Sequence, residues 1–191
     1  MLVERKKHHF EIGFIYPENI EYKKGECIGG FRDKELKIPV LHFIIDDDAV
    51  KAANMREMVV NSSQHPEIIM TAEYAKKLLK NHKQLHVQFP LWHELGHIVL
   101  GHYNKFNTTN EIREDRLNAL KAGKVCDTER EADLFAAKRI GFGNAVLALR
   151  KIQTDRLEFD KANHLETTQQ SILAQKEFEY RMDALQDIAF A

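Results

Sequence analysis

The run His93-Glu94-Leu95-Gly96-His97 sets two imidazoles four residues apart with a carboxylate beside the first. On a helix, four residues is a little over one turn, so both rings leave the same face and can ligate one ion. Glu94 then stands where a general base for water is needed, which is the chemistry of H-E-x-x-H metallohydrolases. The pattern is short. With ten His among 191 residues and eighteen Glu, roughly one shuffled chain in twenty would contain it by accident. A helix whose two histidines are simply hydrogen-bonded is the plainer alternative, so the chemical reading depends on a third ligand.

Catalytic zinc takes three protein ligands and leaves a fourth position for water. His102 follows His93 by nine residues, which turns it to about the opposite side of a continuous helix. The metzincin pattern H-E-x-x-H-x-x-G-x-x-H also fails, because Leu100 and Tyr103 stand where Gly and His are required. Glu129 is the favoured third ligand. It opens a helical segment and is followed four residues later by Asp133, so one face offers a ligand carboxylate and a second carboxylate to accept the other ring N–H of a ligating histidine. Glu131 competes for the ligand position, and the plainer role for Glu129 and Asp133 is to serve as acids at a helix N-terminus.

These residues need helices to hold them. Pro90 to His102 reads as one helix, with Pro90 in its first turn, Gly101 as its stop, and Leu91, Leu95, Ile98 and Val99 as an apolar stripe. Thr128 to Gly141 reads as a second, capped by Asp127 or Thr128. A charged helix is expected from Glu111 to Ala122, stopped by Gly123, and two more from Asn144 to about Asp160 and from Thr167 to Phe190. Upstream, Phe10 to Tyr16 and Leu36 to Ile45 read as strands, Gly25 to Gly30 as a loop, and Ala49 to Val60 as a short helix. Glu67 to Thr71 is a strand set at a sheet edge by Pro66, which cannot donate to a ladder, and Thr71 can cap a helix from Ala72 to Asn81. The expected fold is α+β and zincin-like: mostly helical, with a small N-terminal β-sheet, as one domain over residues 1–191. Residues 1–35 form its N-terminal extension and residues 142–191 a helical cap.

Composition removes several other functions. A net charge of −1 with 30% charged residues creates neither a nucleic-acid field nor a membrane-surface patch. No apolar run reaches the length of a bilayer span, and the basic start lacks the apolar core of a secretory signal. Cys27 and Cys126 lie far apart without C-x-x-C spacing, as expected of reduced thiols in a cytoplasmic protein. Gly29-Gly30 has neither the spacing nor the Lys-Ser/Thr of a phosphate loop, and Asp46-Asp47-Asp48 lacks the alternation, Gly and terminal Glu of a calcium loop.

His93-Glu94-Leu95-Gly96-His97 followed by Glu129-x-x-Ala132-Asp133 resembles the gluzincin peptidases that include HtpX and the CaaX prenyl proteases. The soluble peptidases of the ImmA/IrrE type are similar in the same two motifs. The likeness covers roughly residues 40 to 190. It implies zinc ligation by His93, His97 and Glu129, Glu94 as base toward a zinc-bound water, and Asp133 as orienter of a histidine. It also implies an edge strand at Ile68, Ile69 and Met70 that holds an extended peptide substrate, and closing helices at Asn144 to Ile152 and around Arg181. The chain departs from the first family in lacking membrane helices and the His-Pro that precedes the closing arginine; His164 lies well upstream. Tyr103, His102, His164, Tyr180 and Arg181 are the residues available to steady an oxyanion. The activity implied is that of a zinc metalloendopeptidase, the alternative being a non-catalytic zinc-binding regulator of a stress or mobile-element system.

Overall fold

The computed structural model describes residues 10–14, 24–25, 27–33, 41–52, 58–61, 67–81, 84–105 and 109–189. Five strands form one sheet: β1 (Phe10–Phe14), β2 (Cys27–Asp33), β3 (Leu41–Ile45), β4 (Met58–Asn61) and β5 (Glu67–Met70). Two helices accompany them, α1 (Asp47–Ala52) and α2 (Ala72–Asn81). Among the described residues helices then follow without strands: α3 (Leu85–Val99), a 3-10 turn (His102–Lys105), α4 (Thr109–Lys121), α5 (Asp127–Ile140), α6 (Phe142–Ala162) and α7 (Gln169–Ala189). The architecture is α+β. It falls into two compact units, Met1–Asn81 and His82–Ala191.

In the first unit the sheet order is β1-β2-β3-β5-β4, with β3 and β5 parallel and the other neighbours antiparallel. Alternation along β5 buries Ile68 and Met70 while Glu67 and Ile69 stay half-exposed, as a pleated strand with one covered face requires. Strand β5 is therefore present as expected, but it is not an edge. Its residues pair with β3 from His42↔Glu67 to Ile45↔Met70 and with β4 from Asn61↔Glu67 to Met58↔Met70. Two misreadings combined here. Pro66 precedes the strand and so removes none of its donors, and the partner on the far side, β4, lies in the stretch read as the end of a helix. With both ladders made, Ile68, Ile69 and Met70 have no main-chain edge to offer a substrate, and that role is withdrawn.

One further correction belongs to this unit. Gly29 and Gly30 are strand rather than loop: Gly29 pairs with Phe14 and Phe43, Gly30 with Gly13 and His42. Glycine weakens a strand but does not forbid one when neighbours supply the ladder on both sides. The three aspartates start a helix. Asp46 Oδ1 accepts from the Ala49 N–H at 3.0 Å, and Lys24 donates to Asp48 at 2.6 Å. Thr71 caps α2 as expected, its Oγ1 accepting from the Tyr74 N–H at 3.1 Å.

The second unit is built around α3 and α5. Helix α3 begins at Leu85, five residues before the proline, so Pro90 lies inside it with no N–H for the preceding turn. Val87, Phe89, Leu91 and Leu95 bury its apolar side. It ends as expected, with Gly101 in the left-handed region at φ 67°, the Leu100 N–H bonded to Gly96 O at 2.9 Å and the Gly101 N–H to Ile98 O at 3.0 Å. Helix α5 starts after Cys126 without a side-chain cap, so neither Asp127 nor Thr128 has the expected role. The core joins Phe89 of α3 to Ala136 and Ala137 of α5, Ala145 and Leu149 of α6, and Leu185 of α7.

At Gly96 helix α3 approaches α5 closely. A Cβ there would meet Ala132 Cα and Phe135 Cβ at 3.1 Å and Ala132 O at 3.2 Å. Ala132 is itself fully buried. Two small residues thus let the helix backbones touch, which brings the face carrying His93 and His97 within reach of the face carrying Glu129 and Asp133.

Candidate metal centre

Three ligand atoms converge between α3 and α5. His93 Nε2 lies 3.0 Å from His97 Nε2 and 3.3 Å from Glu129 Oε2, and His97 Nε2 lies 3.6 Å from Glu129 Oε1. All three residues are buried, and together they form a group able to hold a metal ion. For a tetrahedral ion with bonds of about 2.0–2.1 Å, ligand atoms stand about 3.3–3.4 Å apart. The observed separations, each histidine facing a different oxygen of Glu129, straddle that value, and the group is of a kind able to hold a metal ion.

Electrostatics shows what the three atoms do to one another. Burial and Arg181 both pull His93 down, yet Asp133 and Glu129 outweigh them and raise it to about 9. Burial lowers His97, and His93 lowers it further, to about 3. One proton therefore serves two nitrogens: His93 carries it and His97 stays neutral. Burial would raise Glu129, but Arg116, His93 and His97 hold its carboxyl well below the usual range. A permanent anion beside two crowded nitrogens is an arrangement that a cation completes.

Behind His93 stands a buried ion pair. Its Nδ1–H donates to Asp133 Oδ1 at 2.7 Å, and Arg181 grips the same carboxylate with Nη2 on Oδ1 at 2.6 Å and Nε on Oδ2 at 2.7 Å. Burial raises Asp133, but Arg181 and His93 keep it ionised. Asp133 thus orients a histidine as expected. The guanidinium of Arg181 lies behind His93, with Nη2 3.2 Å from His93 Nδ1 and both Nη2 and Nε bonded to Asp133.

Behind His97 stands a different chain. His97 Nδ1 lies 2.9 Å from His102 Nδ1, and His102 Nε2 lies 2.9 Å from Glu131 Oε2, which Lys105 reaches at 3.3 Å. His102 is not one of the converging ligands, in agreement with the sequence, but the reason differs. The helical projection that put it on the far side assumed an unbroken helix, whereas α3 stops at Val99 and the left-handed Gly101 swings His102 back against His97. Glu131, the competing ligand, faces His102 instead of the centre.

Glu129 has support that sequence reading missed. Arg116 on α4 donates to Glu177 on α7 through Nε at 3.0 Å and Nη2 at 2.8 Å, leaving Nη1 3.7 Å from Glu129 Oε1. The charge of Glu129 above all keeps Arg116 firmly protonated. A charged helix was legible at Glu111 to Ala122, but nothing in its spacing pointed at a partner 61 residues away. Glu94 is half-buried on α3; burial raises its carboxyl, His93 opposes this, and Glu129 adds to it.

His164 is exposed in the turn between α6 and α7, at φ 55°. Tyr180 is half-buried on α7, and among the described residues neither it nor His164 has a bond to the three ligands. The backbone of Tyr103 belongs to the 3-10 turn; its side chain lies outside the described residues. Among the described residues no helix is long and apolar enough to cross a membrane. Comparison of the chain with protein-family models, with curated proteins and with solved structures finds no match in any of the three.

Proposed function

We propose that the protein is a zinc-dependent metallopeptidase whose helical unit is a minimal zincin-like active site. The observation that carries this reading is the convergence of His93 Nε2, His97 Nε2 and the Glu129 carboxylate within 4.8 Å of one another, with Glu94 next to the first ligand. Two imidazoles and one glutamate are the ligand set that zinc peptidases use, and a set with no fourth ligand among the described residues leaves a position for chemistry. Zinc bound there would supply Lewis acidity, polarising a carbonyl and making water easier to deprotonate.

The chain's own residues then divide the work. Glu94 takes a proton from the attacking water and returns it to the leaving amine. Asp133 and Arg181 hold the His93 ring, and Arg116 balances the charge of Glu129 from the α4 side. A purely structural metal site needs no base, so the carboxylate at position 94 favours catalysis over a passive role.

The purified protein should retain about one zinc per chain by elemental analysis, in keeping with the three-ligand set. Glu94→Gln should keep that zinc and lose at least about a hundredfold in hydrolysis of an unfolded protein substrate, since only the base is removed. Equal cleavage by both proteins would show that Glu94 is not the base.

A further inference from the structure

The turn that follows α3 returns a buried histidine to the back of a metal ligand, and its protons can be assigned. If His97 presents the Nε2 lone pair to an ion, its one ring proton is on Nδ1. That N–H faces His102 Nδ1 at 2.9 Å, so His102 Nδ1 must be the acceptor and its own proton must sit on Nε2. The Nε2–H then donates to Glu131 Oε2 at 2.9 Å. The opposite tautomer of His102 would set two N–H groups against each other and leave Glu131 facing a lone pair. With His97 Nδ1 protonated this assignment satisfies both contacts of the His102 ring, and it is the one that metal ligation by His97 requires.

We propose that His102 is a positioning residue of the metal centre, holding the His97 ring in the tautomer and orientation that present Nε2, with Glu131 fixing the tautomer of His102 in turn. The inference rests on the reading that His97 is a metal ligand, and it does not depend on which reaction the centre performs. The geometry is built rather than incidental. His102 is 2% exposed, its ring stands at 73° to that of His97 with centroids 5.0 Å apart, and the left-handed Gly101 that delivers it is bridged by the Asn104 N–H bonded to Gly101 O at 3.0 Å.

The test follows zinc as it leaves the loaded full-length protein to an excess of chelator, together with the visible spectrum of the cobalt(II)-substituted form. His102→Phe fills the space but accepts no hydrogen bond, and should release zinc about tenfold to a hundredfold faster with a changed cobalt spectrum. His102→Asn is smaller but keeps an acceptor oxygen near the place of Nδ1, and should stay within about threefold of the parent protein. A packing role predicts the reverse ranking, because Asn leaves the larger void. Should His102→Phe fail to fold by circular dichroism, Glu131→Ala at a 43%-exposed side chain decides instead, with release faster than that of His102→Asn. Release and spectra unchanged in the folded variants of a protein that holds zinc would overturn this inference alone. A parent protein that holds no zinc would overturn the metal reading and this inference together.

Discussion

The two histidines of α3 are four residues apart and face one point, yet they are supported in opposite ways. His93 leans on Asp133, a buried carboxylate clamped by Arg181, whose side chain is only 12% exposed. His97 leans on a second imidazole, and the charge behind that ring, Glu131 with Lys105, is at the surface, with side-chain exposures of 43% and 48%. Both sides end in a carboxylate and its cation, but behind His97 a second ring stands between ligand and carboxylate, and that carboxylate and its cation lie in water. In a dry surrounding a missing partner leaves an uncompensated charge, while at the surface water takes its place. The His93 side should therefore be rigid and costly to disturb, and the His97 side adjustable.

The sharpest way to break this comparison is Arg181→Met. Burial of Asp133 would be unchanged but its bidentate partner gone, and breaking a buried pair from one side costs about 3–5 kcal/mol. The loss should appear in urea unfolding as a lower midpoint at constant slope. A loss below about 1 kcal/mol would mean that the Arg181 pair is no stronger than a surface one, and the contrast would fail.

A smaller effect is expected where both sides are struck together. Gly96→Ala puts a Cβ 3.1 Å from Ala132 Cα and Phe135 Cβ, and one of those contacts is backbone that cannot turn aside. Overpacking of this kind costs about 1–3 kcal/mol. Because α5 carries Glu129 and Asp133, moving it away from α3 disturbs both histidines, so the zinc-loaded protein should lose more stability than the metal-free one. Equal losses in thermal unfolding with and without zinc would show that the helix contact serves packing alone.

The same contrast between near and distant partners explains how far the sequence could be read. His93, Glu94, His97, Glu129 and Asp133 were legible because each pair is separated by four or fewer residues on one helix, where a period of 3.6 residues fixes the shared face. The helix contact that joins the two motifs was implicit in Gly96 and Ala132. What crosses long stretches of chain was not legible: Arg181 was placed near the centre, but its grip on Asp133, 48 residues away, was not readable, nor was the bond from Arg116 to Glu177. His102 was rightly excluded as a ligand but put on the wrong side, because a periodicity argument does not see a helix end, and the end is set by a left-handed glycine. In the sheet, Met58–Asn61 is too short for alternation to declare itself after the helical start at Asp47, and missing it turned an interior strand into a supposed edge.

The smallest expected effect is at Lys105, the counterpart of Arg181 on the other side. Its ammonium lies 3.3 Å from Glu131 Oε2, a distance that would matter in a dry site, but both side chains are nearly half exposed. An exposed pair is worth about 0–1 kcal/mol, since water and salt screen it and the two side chains give up rotamer freedom to form it. Lys105→Ala should therefore change unfolding free energy by less than about 0.5 kcal/mol, and the difference should vanish in about 1 M salt, where the Debye length falls to about 3 Å. Glu131 keeps its hydrogen bond from His102 at 2.9 Å in that variant, so the orientation of His97 is preserved without the cation. A loss as large as that of Arg181→Met would mean that the turn after α3 shields the pair from water, and that the two sides of the centre are built alike.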